Sequence, residues 1–275
     1  MKNLTINTQS CMIMGIINAT VDSFSGDGIY SNDKFDLDRE IESMIQNGVD
    51  IVDVGGESTR PKKLYSNVVE VSENEELERV VPIIERIKNN FEINISIDSK
   101  KHRVIDEAIK CGAEIVNDIS MIEDENILKV LSNHDVFYVL GHYRKNEAHQ
   151  NLIPEVLIDI SKKIDLLISS GFDRSKIILD PGIGFGKTPK ESKDILANIE
   201  ILKKSFNLPV MVGSSRKSFI GEYTGKKIEE RVFGTASTVV FSILNGANIL
   251  RVHDYKEMMD VKKMTQVLKD SAYSL

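Results

Sequence analysis

The feature that most constrains the fold is a regular alternation of two kinds of segment along the chain. Short apolar runs of the kind found in buried strands alternate with longer segments in which apolar residues recur at helical spacing. The predicted strands cover residues 12–18, 49–55, 94–98, 114–119, 136–142, 177–180, 208–212 and 248–253. Such alternation predicts a parallel sheet with crossover helices. Eight units in a chain of 275 residues match the number and length of a (β/α)8 TIM barrel.

The segments between the strands predict the helices of this barrel. They cover residues 35–48, 102–111, 126–131, 155–170, 189–206, 229–246 and 255–267. Pro82 lies inside a further helical segment, which predicts a kink or two short helices there. An open, doubly wound sheet is the alternative fold, but it usually has fewer strands, and no GxGxxG follows the first strand. No linker divides the chain, so residues 1–275 are predicted to form a single domain.

Composition argues against several classes of partner. The net charge is −7 and no basic block occurs, which disfavours a nucleic-acid surface. No apolar run approaches the roughly 18 residues that a membrane span needs. The first residues lack the apolar core of a secretory signal. The sequence therefore predicts a soluble, cytoplasmic protein that binds neither nucleic acid nor membranes.

Polar residues stand where most of the predicted strands end, and in a barrel these carboxyl ends carry the active site. Hydrogen-bond acceptors follow strands three, four and six, and cations follow strands seven and eight: Asp98, Asn117, Asp180, Lys217, Arg251 and His253. Phosphate sites in such barrels often lie after strands seven and eight. The cations therefore suit an anionic or phosphorylated ligand.

These residues also have structural interpretations. An aspartate at the end of a strand is often a helix N-cap, and for Asp98 or Asp180 taken alone that interpretation is the better one. Together with Asn117 on a neighbouring strand, they favour a buried hydrogen-bonding pocket. Arg251 and His253 are two residues apart on one strand, so they project to the same side.

Metal-binding motifs are not evident. The histidines are not at ligand spacing, and neither HxH nor HExxH occurs. A magnesium ion needs few protein ligands when it binds a phosphorylated substrate, because phosphate oxygens and water complete its coordination. The sequence is therefore compatible with Mg²⁺ as a cofactor.

At the level of motifs, the chain resembles the dihydropteroate synthases over nearly its whole length. The matching segments, in order, are GIINATVDSFS (15–25), DVGGESTRP (53–61), SIDS (96–99), NDIS (117–120), ILDPGIGFGKT (178–188), GSSRKSFIG (213–221) and RVHD (251–254). The wider group of pterin-binding barrels includes methyltetrahydrofolate-dependent methyltransferases. That group shares the barrel and the pterin aspartates but is not expected to carry the STRP or SRKSF segments.

The resemblance implies a transferase of folate biosynthesis. Such an enzyme condenses 6-hydroxymethyl-7,8-dihydropterin diphosphate with p-aminobenzoate, giving 7,8-dihydropteroate and pyrophosphate, with magnesium as its cofactor. It is the target of sulfonamides and is typically a homodimer joined through helices late in the barrel. The alternatives are a pterin- or folate-binding paralogue and a component of a methyltetrahydrofolate-dependent methyltransferase.

The resemblance also implies roles for individual residues. It places Asp180 at the floor of the pterin pocket, aided by Asp98, Asn117 and Lys217, and it places Arg251, His253 and Asn18 at the diphosphate, with Asn18 near the metal. Among these, Asp98, Lys217 and Arg251 would be catalytic, together with Asp22 on a mobile loop. Further substrate contacts are implied for Thr59, Arg60, Pro61, Phe185, Gly213 and Ser218.

Three departures from the family pattern fall near these residues. Val21 stands in place of a proline in the first loop, and Lys62 follows Pro61 where glycine is usual. Gly141 replaces a methionine that lines the pterin, so the wall there is expected to be thinner or to be filled by another group. The sequence predicts an active but divergent enzyme whose p-aminobenzoate side, and hence whose response to sulfonamides, is altered.

Overall fold

Eight parallel strands form one sheet in the computed structural model, which describes residues 5–6, 10–19, 36–57, 71–144 and 151–272. The order across the sheet is β6-β5-β4-β3-β2-β1-β8-β7, and an isolated parallel bridge between Leu179 and Val210 joins its two edges. The predicted TIM barrel is therefore confirmed as a nearly closed barrel. Its strands are β1 (Met12–Asn18), β2 (Ile51–Gly55), β3 (Asn94–Asp98), β4 (Ile115–Asp118), β5 (Phe137–Gly141), β6 (Ile177–Asp180), β7 (Met211–Val212) and β8 (Ile249–Val252).

Helices lie between the strands and cover the barrel. They are α1 (Leu37–Gln46), α2 (Glu73–Asn90), α3 (His102–Lys110), α4 (Asn126–Ser132), α5 (Leu152–Ser169), α6 (Pro189–Ala197), α7 (Ile199–Phe206), α8 (Ser218–Thr224), α9 (Val232–Leu244) and α10 (Tyr255–Ala272). Short 3₁₀ turns cover Arg174–Lys176 and Ile228–Glu230. Within the described ranges, no helix is both long and apolar enough to cross a membrane.

Several predicted boundaries are wrong for local reasons. The single helix predicted over 189–206 is two helices, because Asn198 leaves the helical conformation and its side chain bonds to the Asp194 carbonyl. Conversely, Pro82 does not divide α2 into two, since it lies on the exposed face, where a lost backbone bond is tolerated. Strand β7 is shorter than predicted, because Pro209 has no N–H to donate to a ladder.

The strand register explains where the functional residues lie. Along each strand, alternate side chains face the barrel interior. The inner, apolar layers consist of Ile6, Met12, Met14, Ile51, Ile115, Phe137, Val139, Ile178, Met211 and Ile249. Burying each such side chain contributes about 1.5–3 kcal/mol. At the carboxyl ends of the strands, the inward positions become Asp53, Asp98, Asn117, Gly141, Asp180, Gly213 and Arg251. A polar layer therefore closes the carboxyl end of the barrel.

Candidate active site at the carboxyl end of the barrel

Arg251 lies at the centre of the polar layer, between two buried carboxylates. It donates from Nε to Asp53 Oδ2 and from Nη2 to Asp98 Oδ2, each over 2.6 Å. The side chain of Asp53 is fully buried, and that of Asp98 is 5% exposed. Carboxylates enclosed in this way need a partner of opposite charge. Arg251 supplies that charge to both.

The same layer contains acceptor oxygens that the protein itself leaves unused. Asn117 donates from Nδ2 to Asp53 Oδ2 over 3.0 Å. Within the described part of the chain, Asp53 Oδ1, Asp98 Oδ1 and Asn117 Oδ1 are buried and have no hydrogen-bond partner. Buried acceptors are costly unless a donor reaches them. The layer is therefore complementary to a ligand that carries N–H donors.

Burial also changes the proton affinity of Asp98. Desolvation raises the pKa of Asp98 to about 7, although the Arg251 charge opposes the shift. The Asp53 carboxylate adds to the rise by repulsion between like charges. Near neutral pH, Asp98 is therefore close to the point where it changes from hydrogen-bond donor to anionic acceptor.

The two strand-end aspartates are not helix N-caps. Helix α3 has Lys101 at its N-cap, and α6 is capped by Thr188 in a capping box with Glu191. Asp180 instead accepts from the backbone N–H of Gly182 over 2.7 Å, which closes a tight turn directly after β6. The structural interpretation of Asp98 and Asp180 as caps is therefore wrong.

Lys217 and Phe185 are brought together from separate loops. Lys217 precedes α8, and its Nζ donates to the carbonyl of Ile183 and lies 4.0 Å from the centre of the Phe185 ring. Desolvation lowers the pKa of Lys217 to about 8, while the Asp180 carboxylate favours its charged form. Lys217 thus places a cation beside the turn that carries Asp180.

Lys187 holds this turn in place, a role that the motif comparison did not single out. Its Nζ donates to the carbonyls of His142, Gly182 and Phe185 over 2.9, 2.9 and 3.0 Å. Desolvation lowers the pKa of Lys187 to about 7. Gly182 has φ +67°, and a Cβ there would lie 1.8 Å from the His142 carbonyl oxygen, so only glycine fits. Lys187 is the one cation within the glycine-rich GIGFGK segment (182–187). A single lysine among glycines that follow a strand was the sequence signal that could have identified this role.

The wall beside Asp180 is completed by backbone. Gly141 is the register partner of Asp180, and a Cβ at Gly141 would lie 2.8 Å from the Asp118 carbonyl oxygen and 2.9 Å from Ile119 Cα. The end of β4 therefore fills the space at this position. A methionine could not occupy it unless the backbone moved.

The loop after β7 and the end of β8 are joined by polar contacts. Ser215 Oγ accepts from the backbone N–H of His253 over 3.2 Å and lies 3.1 Å from its ring Nδ1. Arg216 forms an ion pair with Asp254, with an Nε–Oδ2 distance of 3.0 Å. Gly213 is buried beside the Arg251 side chain, whereas Ser218 is exposed as the first residue of α8. Arg251, His253 and Lys217 thus approach from the β7–β8 side.

Asn18 also stands at the carboxyl end of the barrel. Asn18 is the last residue of β1 and is half-buried. Four predicted residues lie outside the described residues: Asp22, Thr59, Arg60 and Pro61.

A partly buried ion cluster, which no sequence motif indicated, lies beside β2. Lys101 Nζ donates to Glu57 over 2.7 Å, to Glu76 over 2.5 Å and to the carbonyl of Val71 over 2.7 Å. Glu57 and Val71 are the described residues on either side of 58–70. Lys101 therefore links the two ends of that segment.

The chain is similar to several known proteins. Residues 14–253 match the pterin binding enzyme family. The dihydropteroate synthase of Clostridium beijerinckii is 42% identical over 261 residues, which cover 93% of each chain. The Yersinia pestis dihydropteroate synthase, solved with a sulfonamide drug complex, has a TM-score of 0.89 at 32% identity and 98% coverage of both chains. The Xanthomonas albilineans dihydropteroate synthase with 4-aminobenzoic acid has a TM-score of 0.84 at 30% identity, covering 94% of this chain and 93% of that one.

The family resemblance expected from the motifs is thereby confirmed. The family match covers most of the chain, and the sequence and structural relatives extend over more than nine-tenths of it. The fold and these relatives agree, and the chain belongs to the dihydropteroate synthases, transferases of folate synthesis within the pterin binding enzyme family.

Proposed function

We propose that this chain, acting in the cytoplasm, joins 6-hydroxymethyl-7,8-dihydropterin diphosphate to p-aminobenzoate and releases pyrophosphate and 7,8-dihydropteroate. The observation that carries the proposal is the set of three buried acceptor oxygens, on Asp53, Asp98 and Asn117, that have no partner among the residues that the structure describes. A pterin presents an amino group and ring N–H donors, which such acceptors can bind. The cations Lys217 and Arg251 suit its carbonyl and its diphosphate.

At the pterin end, each side chain has a separate task. The Asp180 carboxylate accepts two parallel N–H bonds from the pterin amino group and ring nitrogen, an arrangement that gives strong, directional binding. Asp98 and Asn117 accept from the remaining donors. Lys217 donates to the pterin carbonyl and ring nitrogen, and its contacts with Ile183 and Phe185 keep it next to the Asp180 turn.

At the diphosphate end, Arg251 and His253 bind the leaving group. The bond between the pterin methylene carbon and the diphosphate oxygen breaks, and both electrons leave with the diphosphate. The buried carboxylates stabilise the positive charge that develops on the pterin, and the fixed cations stabilise the charge on the leaving group. The neutral aniline nitrogen of p-aminobenzoate then attacks the methylene carbon and loses its proton to solvent. No strong base is needed.

Magnesium would accompany the diphosphate. Asn18 offers a carboxamide oxygen at the end of β1, a ligand type that Mg²⁺ accepts. In the described residues, no group of three or more His, Cys, Asp or Glu side chains could hold a metal. The described residues therefore suit a magnesium ion that would be bound mainly by diphosphate oxygens and water, with Asn18 as its protein ligand. When bound, the ion would neutralise charge on the leaving group.

The p-aminobenzoate site would be built from Phe185 and Ser218 together with Thr59, Arg60 and Pro61. Lys217 lies over the Phe185 ring and fixes one side of this site. The Xanthomonas albilineans relative was solved with 4-aminobenzoic acid, and the Yersinia pestis relative with a sulfonamide drug complex. We propose that sulfonamides compete at the same position in this chain.

The reaction is tested by pyrophosphate release. Purified protein is supplied with Mg²⁺, the dihydropterin diphosphate and p-aminobenzoate, and each component is omitted in turn. We expect release that requires all three. Release without p-aminobenzoate would contradict the acceptor site. Pterin binding without any release would favour the pterin-binding paralogue.

We also propose that two copies of this chain form a homodimer through α9 and α10. These helices pack side by side, and exposed large apolar residues concentrate on them: Phe233, Phe241, Leu244, Met264, Val267 and Leu268. Phe233 is 83% exposed. A concentration of exposed apolar residues on two neighbouring helices is typical of an interface, and a two-fold dimer uses the same face of both copies.

The dimer is tested by changing its proposed face. Sedimentation is expected to give twice the chain mass for the wild type and one chain mass for Phe233→Glu combined with Leu268→Glu. Ile158→Glu is the matched control, because Ile158 is 52% exposed on the distant helix α5. A monomeric wild type, or a dimer that survives the double change, would contradict the assignment.

A further inference from the structure

Asp53 is a fully buried residue of the polar layer, and one of its two carboxylate oxygens is occupied by other residues of the site. It faces inward from β2, and its Oδ2 accepts two hydrogen bonds, from Arg251 Nε over 2.6 Å and from Asn117 Nδ2 over 3.0 Å. The two residues that donate to it, Arg251 and Asn117, lie on β8 and β4, which are on opposite sides of β2 in the sheet. Asp53 therefore connects the proposed diphosphate side with the proposed pterin side.

The contact with Asn117 determines which end of that amide faces a ligand. A carboxamide has a donor nitrogen and an acceptor oxygen of nearly equal shape, so its orientation depends on its partners. Asp53 Oδ2 already accepts from the Arg251 guanidinium, so it presents an acceptor to Asn117. Asn117 must therefore direct Nδ2 at Asp53, which leaves Oδ1 on the other side of the amide. This oxygen is one of the buried acceptors with no partner among the described residues.

We propose that Asp53 is a positioning residue whose carboxylate fixes the Asn117 carboxamide with its oxygen toward the pterin. The inference rests on the proposed function, in which Asn117 binds the pterin. The alternative orientation would place the Asn117 oxygen against Asp53 Oδ2, where two acceptors repel each other. With Asp53 present, the end of the Asn117 amide opposite Asp53 is thus its acceptor oxygen and not its nitrogen.

The fixed amide determines selectivity as well as affinity. In the lumazine analogue of the pterin, a carbonyl oxygen replaces the 2-amino group, so a donor becomes an acceptor. A pocket of fixed acceptors rejects that change. In Asp53→Asn, residue 53 can also donate, so Asn117 is free to turn its Nδ2 toward the lumazine oxygen. Selectivity for the pterin should then fall, while general damage to the pocket would weaken both ligands by the same factor.

The experiment measures dissociation constants by calorimetry at pH 7 for 6-hydroxymethylpterin and 6-hydroxymethyllumazine. For Asp53→Asn, we expect pterin affinity to fall about tenfold or more and the pterin-to-lumazine preference to fall about tenfold. Asn117→Asp places two carboxylates together and should also weaken pterin binding. In the double variant, the Asn at 53 donates to the Asp at 117, whose second oxygen then faces the ligand. Pterin affinity should recover to within about threefold of the wild type.

Asp118→Asn is the matched control. Asp118 is equally buried on β4 but faces away from the barrel interior, where it accepts from Tyr138 over 2.6 Å and from the backbone of Ser120 over 2.7 Å. Any loss of stability there should leave the pterin-to-lumazine preference unchanged. Thermal unfolding of each variant identifies those that are folded.

The outcomes separate the two claims. A wild type that does not bind the pterin would overturn the proposed function and, with it, this inference. A wild type that binds, together with an unchanged preference in Asp53→Asn, would overturn the positioning role alone. If Asp53→Asn does not fold, the positioning role is tested by comparing the pterin affinity of Asn117→Asp with that of the double variant. Recovery of pterin affinity supports the role, and no recovery overturns it.

Discussion

Replacing Asp180 by alanine is expected to abolish pterin binding. Asp180 ends β6 at the carboxyl mouth of the barrel, where its carboxylate is proposed to accept two parallel bonds from the pterin. Hydrogen bonds to a charged group contribute about 1.5–3 kcal/mol each. The loss of two therefore raises the dissociation constant of the pterin roughly 10²- to 10⁴-fold. Calorimetric titration with 6-hydroxymethylpterin measures this change directly.

A second substitution separates ligand binding from the local turn. Asp180 Oδ1 also accepts from the N–H of Gly182, and alanine removes that bond as well. Asp180→Asn retains an oxygen for Gly182 but offers the pterin an amide in place of a carboxylate. We expect it to bind the pterin nearly as weakly as the alanine variant. Wild-type affinity in Asp180→Asn would show that Asp180 acts only through the turn, and retained binding in Asp180→Ala would refute its place at the pocket floor.

The architecture could be predicted from the sequence because it follows from local periodicity. Alternating segments predict a parallel barrel, and a period of two along a strand places Arg251 and His253 on the same side of it. Polar residues at strand ends then predict the mouth that contains the site. Each of these steps uses residues that are close in sequence.

The interactions within the site depend on contacts that the sequence does not reveal. Arg251 is paired with Asp53 and Asp98 across 198 and 153 residues, and this pairing depends on the stagger of strands around the barrel. Lys187 reaches the carbonyl of His142, 45 residues away, only because two loops meet. Motifs therefore identified the important segments, while the partners of individual side chains required coordinates.

The same limit explains the errors at helix boundaries. Asn198 ends α6 by bonding its own side chain to the preceding turn, although the surrounding sequence keeps a helical pattern. Pro82, a usual helix breaker, is tolerated because it lies on the exposed face of α2. In both cases, a local feature outweighs the helix propensity of the segment. For Asn198 it is the side-chain hydrogen bond, and for Pro82 it is the exposed position.

Replacing Arg251 by methionine is expected to destabilise the protein by about 3–5 kcal/mol at pH 8, because it leaves two buried carboxylates without their shared cation. The effect should depend on pH through Asp98. The pKa of Asp98 is raised to about 7 in the wild type, above its unfolded value of roughly 3.9. The native state therefore binds the extra proton, and the stability this provides is lost as pH rises from about 4 to about 7.

In Arg251→Met the positive charge that lowers the pKa of Asp98 is absent, so this pKa rises above its wild-type value. The loss of unfolding free energy with rising pH therefore continues above pH 7 in the variant. The difference in unfolding free energy between wild type and variant should therefore be larger at pH 8 than at pH 6, as measured by urea unfolding at both values. Arg216→Met is the control, because it removes an ion pair with Asp254 at the same mouth without touching Asp98. A difference for Arg251→Met that is equal at the two pH values would mean that Arg251 does not control the ionisation of Asp98. A wider difference at pH 8, confined to Arg251→Met, would identify the buried arginine as the group that keeps Asp98 able to ionise near neutral pH.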